Sequence, residues 1–280
     1  MLGICVDSNS QLPASLARRF GIEVVPLIVT VDGVEHREGV DLDSDRFYGF
    51  WNNGHSPEIM TSQPSPADFA AAYRRMVDGG ASGILSVHIG EELSGTLNAA
   101  RLGAEEIGVP VRHVDTGTAS FGISCCAWAA AEAIAEGATL EDAARVAQER
   151  AASLGTAFIV GVPQLAERSG RVRNAGIADA AEGGIPVIAM SDGDIEIIAN
   201  VTTAHAAVVA MTDYALGWTP SLVGGLRVAI GTADESSFAI GRALTELLQQ
   251  NDDVADVVQY RVGPSVGAHM GPGTAGLFVF

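Results

Sequence analysis

Two short stretches of this sequence carry side chains whose types and spacing could hold an anion: Thr61-Ser62-Gln63-Pro64-Ser65-Pro66 and Leu93-Ser94-Gly95-Thr96. Each reads as a hydroxyl-rich loop that runs straight into a helix. A helix amino-terminus leaves backbone N–H groups without intrahelical partners and carries a partial positive charge, so it holds anions. Thr61, Ser62, Ser94 and Thr96 add hydroxyl donors, and Gly95 lets the backbone come close to a ligand. With almost no basic residue nearby, such a pair of loops suits a small carboxylate or phosphate. The chemistry is that of binding before it is that of reaction.

The elements that must position these loops are short apolar runs alternating with helical patterns, the signature of a βαβ sheet. Ile4 to Val6 reads as a strand, followed by Asp7-Ser8-Asn9-Ser10 and a helix through Leu16, Ala17 and Phe20. Glu23 to Val31 is β-branched and ends at the turn Asp32-Gly33. Ser65-Pro66-Ala67-Asp68 is a helix start, with Ser as cap, Pro in the first turn and Asp68 at the capping-box position. Ile84 to Ile89 leads into the Ser94 loop, and Val111 to Val114 leads through Asp115 to Ser120 into a helix over 121–135. Three polar loops therefore follow the carboxyl ends of expected parallel strands, where open α/β sheets bind ligands. That placement groups Ser120 with Ser94.

The second half differs in texture. Strands are expected at Phe158 to Val160, Pro186 to Met190, Ile195 to Ile198, Arg227 to Ile230 and Ala255 to Val262. Ser191-Asp192-Gly193-Asp194 fits a hairpin turn, which implies antiparallel pairing. Helices over 203–216 and 237–250 cover the sheet. The expected organisation is a two-domain α/β chain. Residues 1–155 form a domain with a parallel sheet, and residues 156–280 form one with a mixed sheet.

Composition narrows the function classes. A chain of 280 residues with 48% hydrophobic and 18% charged residues buries a sizeable core. Its formal net charge is −18, and all 16 basic residues are Arg. A field of that sign repels nucleic acid and anionic membranes, so neither is an expected partner. Without lysine there is no Schiff base and no Walker-type phosphate loop. The three cysteines, with Cys125 and Cys126 adjacent, build no disulfide framework and no spaced metal site. The start Met1-Leu2-Gly3-Ile4-Cys5 lacks a basic region before its apolar run, and the most apolar stretch, 121–135, is too short to span a bilayer. A cytoplasmic protein with no cofactor and no metal is expected.

With these residues laid out, the chain resembles the DegV family of bacterial fatty-acid-binding proteins. The matches are Val6-Asp7-Ser8, Val25-Pro26-Leu27, Thr61 through Pro66 with Phe69 and Tyr73, and Ile89 with Leu93-Ser94-Gly95-Thr96. They continue through Val114-Asp115-Thr116, Ser120-Phe121-Gly122, Ser169-Gly170-Arg171-Val172 and Gly267-Ala268-His269-Met270-Gly271-Pro272-Gly273. Their order and spacing together are specific. The resemblance implies a long-chain fatty acid such as palmitate, stearate or oleate, its tail lying in a tunnel between two domains. It assigns the carboxylate to Thr61 and Ser94. It also implies a non-catalytic subunit that presents the acid to a fatty-acid kinase. The chain departs from the family pattern at Ile185, where members carry a basic residue, and over Asn200-Val201-Thr202-Thr203, where an Arg is common. Both departures fall on the surface that the resemblance links to kinase docking.

The remaining candidates divide by role. His269 is either a structural residue of a glycine-lined segment or a donor to the ligand head group. Arg171 is a carboxylate partner, a partner-docking residue or a solvated loop Arg, and docking is the reading preferred. Asp7, Asp41 and Asp115 read as caps or loop anchors rather than metal ligands. His36, His55, His88, His113 and His205 show no ligand spacing. The alternative function is a serine hydrolase acting on an acyl substrate, with Ser94 as nucleophile, His269 as base and Asp7 or Asp115 as orienter. Against it, the Ser94 loop lacks the Gly-x-Ser-x-Gly elbow.

Overall fold

The computed structural model describes residues 1–170, 176–191, 194–218 and 225–280. From the amino terminus run β1 (Leu2–Asp7), α1 (Ala14–Phe20), β2 (Ile22–Val25), β3 (Ile28–Val31) and β4 (Val34–Arg37). Then come α2 (Ser44–Gly49), β5 (Ile59–Ser62), α3 (Pro66–Asp78), β6 (Gly83–His88), α4 (Thr96–Gly103), β7 (Val111–Asp115), α5 (Phe121–Ala135) and α6 (Leu140–Ala151). The chain continues with β8 (Gly155–Ile159), α7 (Pro163–Arg168), α8 (Ile177–Ala181), β9 (Ile185–Ser191) and β10 (Asp194–Val201). It ends with α9 (Ala204–Gly217), β11 (Leu226–Thr232), α10 (Phe238–Gln249), β12 (Val254–Arg261), α11 (Pro264–Met270) and β13 (Ala275–Val279).

The first compact unit comprises Met1–Leu42 and Glu58–Ala152. Its main sheet has the order β2-β1-β6-β7, with every pair parallel. The residues of β6 are all buried, as expected of a strand covered on both faces. Cys5, Phe69, Tyr73, Ile84 and Ala99 belong to one core cluster between the sheet and helices α3 and α4. The capping box read from Ser65 and Asp68 is present: Asp68 N–H donates to Ser65 Oγ at 3.2 Å, and Ser65 N–H donates back to Asp68 Oδ2 at 3.0 Å.

The run from Glu23 to Val31 is not one strand. It breaks at Pro26-Leu27 into β2, in the parallel sheet, and β3, in a separate antiparallel sheet ordered β4-β3-β5. Proline supplies no N–H to a ladder, which ends the first strand. Asp32 and Gly33 both take positive φ, 48° and 80°, as a type I′ hairpin turn between β3 and β4 requires.

The second unit comprises Asp43–Pro57 and Ser153–Phe280. Its six-stranded sheet has the order β10-β9-β8-β13-β11-β12, and only β11 and β12 are parallel. The β9–β10 hairpin pairs antiparallel with Ser191 opposite Asp194, while the turn residues 192 and 193 lie outside the described residues. The single cut drawn from the sequence misses the segment 43–57. Within this unit Phe47 and Tyr48 of α2 stack edge-on at 5.1 Å, and a Cβ at Gly267 of α11 would come within 2.7 Å of the Phe47 ring. Arg261 of β12 pairs with Asp45 at 2.9 Å. Aromatic burial against a glycine therefore ties 43–57 to residues more than two hundred positions away.

Candidate functional site

In the parallel sheet the chain leaves β1 toward β2 on one side and leaves β6 toward β7 on the other. Adjacent strands whose connections diverge in this way form a topological switch point, and the crevice at their carboxyl ends is where open α/β sheets bind ligands. Asp7 is the last residue of β1 and His88 the last of β6. Both are fully buried, and Asp7 Oδ2 lies 2.9 Å from His88 Nδ1.

From this pair a chain of hydrogen bonds runs inward. His88 Nε2 lies 2.5 Å from Ser86 Oγ, and Ser86 Oγ lies 2.7 Å from Tyr73 Oη, all inside the protein. The Asp7 carboxylate also accepts the Ile89 N–H at 3.2 Å and the Asn9 N–H at 3.0 Å. A carboxylate is an acceptor only, so the proton between Asp7 and His88 sits on Nδ1. Burial pushes the Tyr73 phenol above its ordinary range and pushes the Cys5 thiol up as well. Burial, then the neighbouring His88, holds the His113 imidazole down at about 4.

The hydroxyl residues predicted from the sequence are placed as follows. Thr61 and Ser62 do not lie in a loop: they end strand β5, with Thr61 opposite Val29 and Ser62 opposite Ile28. A strand fixes its alternate side chains to one face, so Thr61 shares a face with Val29 while Ser62 takes the other. Ser94 is not the N-cap of α4; Gly95 is. The Ser94 hydroxyl instead lies 2.8 Å from Thr96 Oγ1 and accepts the Thr96 N–H at 3.3 Å. Ser94 is half-buried and Thr96 fully buried.

The two stretches are brought together. A Cβ at Gly95 would fall onto the Gln63 side-chain amide, so the residue after Ser62 packs against the residue after Ser94. At the other end of α4, a Cβ at Gly103 would come within 2.6 Å of the Pro66 carbonyl oxygen, which shows how closely α4 lies on α3. At 103 the contact is with backbone, so glycine there is a condition for the close approach of the two helices, whereas at 95 the contact is with the end of the Gln63 side chain. Ser120 joins from the third loop as N-cap of α5. Its backbone has φ 58° and ψ −146°, and its N–H donates to Asn9 Oδ1 at 2.9 Å.

His269 belongs to the second unit. It sits half-buried in the last turn of α11 rather than in a glycine loop, since Gly271, at φ 76°, ends that helix. Arg171 lies outside the described residues. The carboxylates named for the hydrolase reading have other work. Asp7 orients His88, and Asp115 Oδ1 accepts the N–H groups of Glu91 at 3.2 Å and Gly117 at 3.0 Å. An Asp–His–Ser series with hydrolase connectivity does occur at Asp7, His88 and Ser86, but all three are at 0% exposure and Ser86 is also bonded to Tyr73. Cys5, Cys125 and Cys126 are buried free thiols, and burial pushes Cys126 up to about 12.

Sequence reasoning passed over Asn9 and Ser86, and weighed His88 only as a metal ligand. The available signal was positional: Ser86 and His88 are two apart, on one face of a strand, and His88 ends it. Among the described residues no group of three or more His, Cys, Asp or Glu side chains could hold a metal ion, and no helix is long and apolar enough to cross a membrane.

Comparison with known proteins identifies the relatives of this chain. The model of a family described as "Uncharacterised protein, DegV family" matches residues 1–280. A DegV domain-containing protein of Streptomyces coelicolor is 35% identical, over 99% of this chain and 98% of its own length. Another, of Mycobacterium tuberculosis, is 30% identical over 99% of this chain and 96% of its own. Among solved structures, a DegV family protein of Thermus thermophilus described for its fatty acid binding superposes with a TM-score of 0.86. It is 29% identical, and the match covers 100% of this chain and 99% of that one.

Proposed function

The chain belongs to the DegV family, and on that premise we propose that it binds one long-chain fatty acid, such as palmitate, stearate or oleate. The carboxylate is held by the hydroxyls of Thr61 and Ser94, with Ser62, Gly95, Thr96 and Ser120 completing the polar surroundings. The observation that carries this reading is the packing of Gln63 on Gly95, which brings the end of β5 to the start of α4 at the carboxyl edge of the parallel sheet. Hydroxyl and amide donors keep the carboxylate from being buried without partners, which is costly. The tail contributes most of the affinity, at about 0.8 kcal/mol per buried methylene.

The same reading makes the protein a carrier that hands its cargo to a kinase, with Arg171 in the docking surface. The two departures from the family pattern bear on that partner. Ile185 and Val201 are cross-strand neighbours in the β9–β10 hairpin, and Asn200 faces Pro186 beside them, so both fall on one patch.

Native mass spectrometry of freshly purified protein, followed by extraction, tests the cargo: a co-purified mass equal to one long-chain fatty acid is expected. Thr61→Ala combined with Ser94→Ala is expected to lower palmitate affinity at least about tenfold while the circular dichroism spectrum is kept, since hydrogen bonds to a charged group are worth about 1.5–3 kcal/mol each. Full retention by the double variant would remove the head-group assignment.

A further inference from the structure

Ser120 adopts a backbone state that residues with a Cβ rarely occupy, φ 58° with ψ −146°. Such a conformation persists only where its surroundings over-determine it. The surroundings here are identifiable. The Ser120 N–H donates to Asn9 Oδ1 at 2.9 Å, across 111 residues of sequence. Asn9 is itself fixed, at 4% exposure, by the bond from its own N–H to Asp7 Oδ1 at 3.0 Å. The other Asp7 oxygen takes the Ile89 N–H, at the root of the loop that carries Ser94, and His88 Nδ1. One carboxylate and one carboxamide therefore tie together the loops that follow β1, β6 and β7.

We propose that Asn9 is a positioning residue of the carboxylate site. Its side-chain oxygen holds Ser120 in the strained state, which sets the direction of the Ser120 hydroxyl and of the first turn of α5 toward the bound head group. The inference rests on the fatty-acid reading of this site. Asp7 acts one step further back, as the anchor of Asn9.

The test compares two ligands that share a tail and differ in head group, palmitate and hexadecanol, on the full-length protein. Asn9→Ala is expected to weaken palmitate about tenfold, the scale of one hydrogen bond to a charged group, and to leave hexadecanol within about twofold. Ser124→Ala is the control. It removes another buried tie between the same two segments, the 2.7 Å bond from Ser124 Oγ to the Ser10 carbonyl, without touching Ser120. An acid-to-alcohol preference that falls in Asn9→Ala and stays unchanged in Ser124→Ala supports the proposal. An unchanged preference in Asn9→Ala, or an equal fall in both variants, overturns it while the fatty-acid reading stands. If Asn9→Ala does not fold, Asn9→Gln keeps the carboxamide but moves its oxygen by one methylene, and the same fall is expected. Wild-type protein that binds neither ligand, or both alike, would overturn the head-group reading and the positioning role together.

Discussion

Buried hydroxyls behave differently in the two sheets of this protein. In the six-stranded mixed sheet and its covering helices they close onto nearby backbone carbonyls: Thr156 onto Leu277, Thr245 onto Gly241, Thr274 onto Met270 and Gly271. At the carboxyl edge of the parallel sheet some do the same, Thr116 onto His88 and Ser124 onto Ser10, but others bond to side chains, in the series Tyr73, Ser86, His88 and Asp7. A hydroxyl closed on a carbonyl satisfies its own donor and joins two segments, without setting the orientation of a further side chain. A side-chain series in a low-dielectric interior holds every member's orientation and is costly if one partner is lost. The difference follows from topology. All four parallel strands end at one edge, so their polar loops converge, whereas antiparallel neighbours send their loops to both ends of the sheet.

The sharpest way to break this contrast is Asp7→Ala. Removing one member of a buried pair leaves His88 and two N–H groups without their acceptor, and a loss of about 3–5 kcal/mol is expected. Urea unfolding measures that loss, and palmitate titration of whatever remains folded should show weakened binding. A loss below about 1 kcal/mol would mean the series is not a structural unit.

Leu277→Ala in β13 sharpens the comparison from the other side. Leu277 is 1% exposed in the core of the mixed sheet, and truncation there is expected to cost about 2–5 kcal/mol. Its signature is a lower denaturation midpoint with palmitate affinity unchanged at temperatures where the variant is folded. Loss of affinity in step with stability would erase the distinction between the two sheets.

The smallest expected effect is in pH dependence. His113 packs against Tyr73, and its pKa is lowered from an ordinary 6.5 to about 4, first by burial and then by His88. Between those values the unfolded chain binds a proton that the folded chain refuses. The neutral imidazole's stabilisation is therefore complete above 6.5 and is lost as pH falls toward 4. Replacement by Gln removes this share, so the gap in unfolding midpoint between pH 7 and pH 5 should be narrower in His113→Gln than in the parent. An equal gap would show that other groups set the acid sensitivity.

Much of the fold was legible where the signal is local. The capping box at Ser65 and Asp68, the hairpin turn at Asp32-Gly33 and the parallel strands β1, β6 and β7 all stand where periodicity and turn chemistry put them. The hydroxyl stretches were legible as residue types but not as conformations. Thr61 lies on a strand, because it finds a ladder partner in Val29 of β3, 32 residues earlier. The most central miss is β13. Ala275–Val279 pairs with both β8 and β11 in the middle of the mixed sheet, yet a five-residue apolar run after a glycine-rich segment has no periodicity of its own.

The amino-acid sequence by itself determined the inventory: hydroxyl donors beside helix starts, glycines at 95 and 103, an acidic chain without lysine, and the strand and helix lengths that follow from capping and alternation. The tertiary structure alone decided the company these residues keep. Asp7 meets His88 across 81 positions and Asn9 meets Ser120 across 111. Strand pairing is made by backbone groups that every residue shares, so no local pattern states which strand lies beside which. A buried side chain gains its partner only once those strands are aligned.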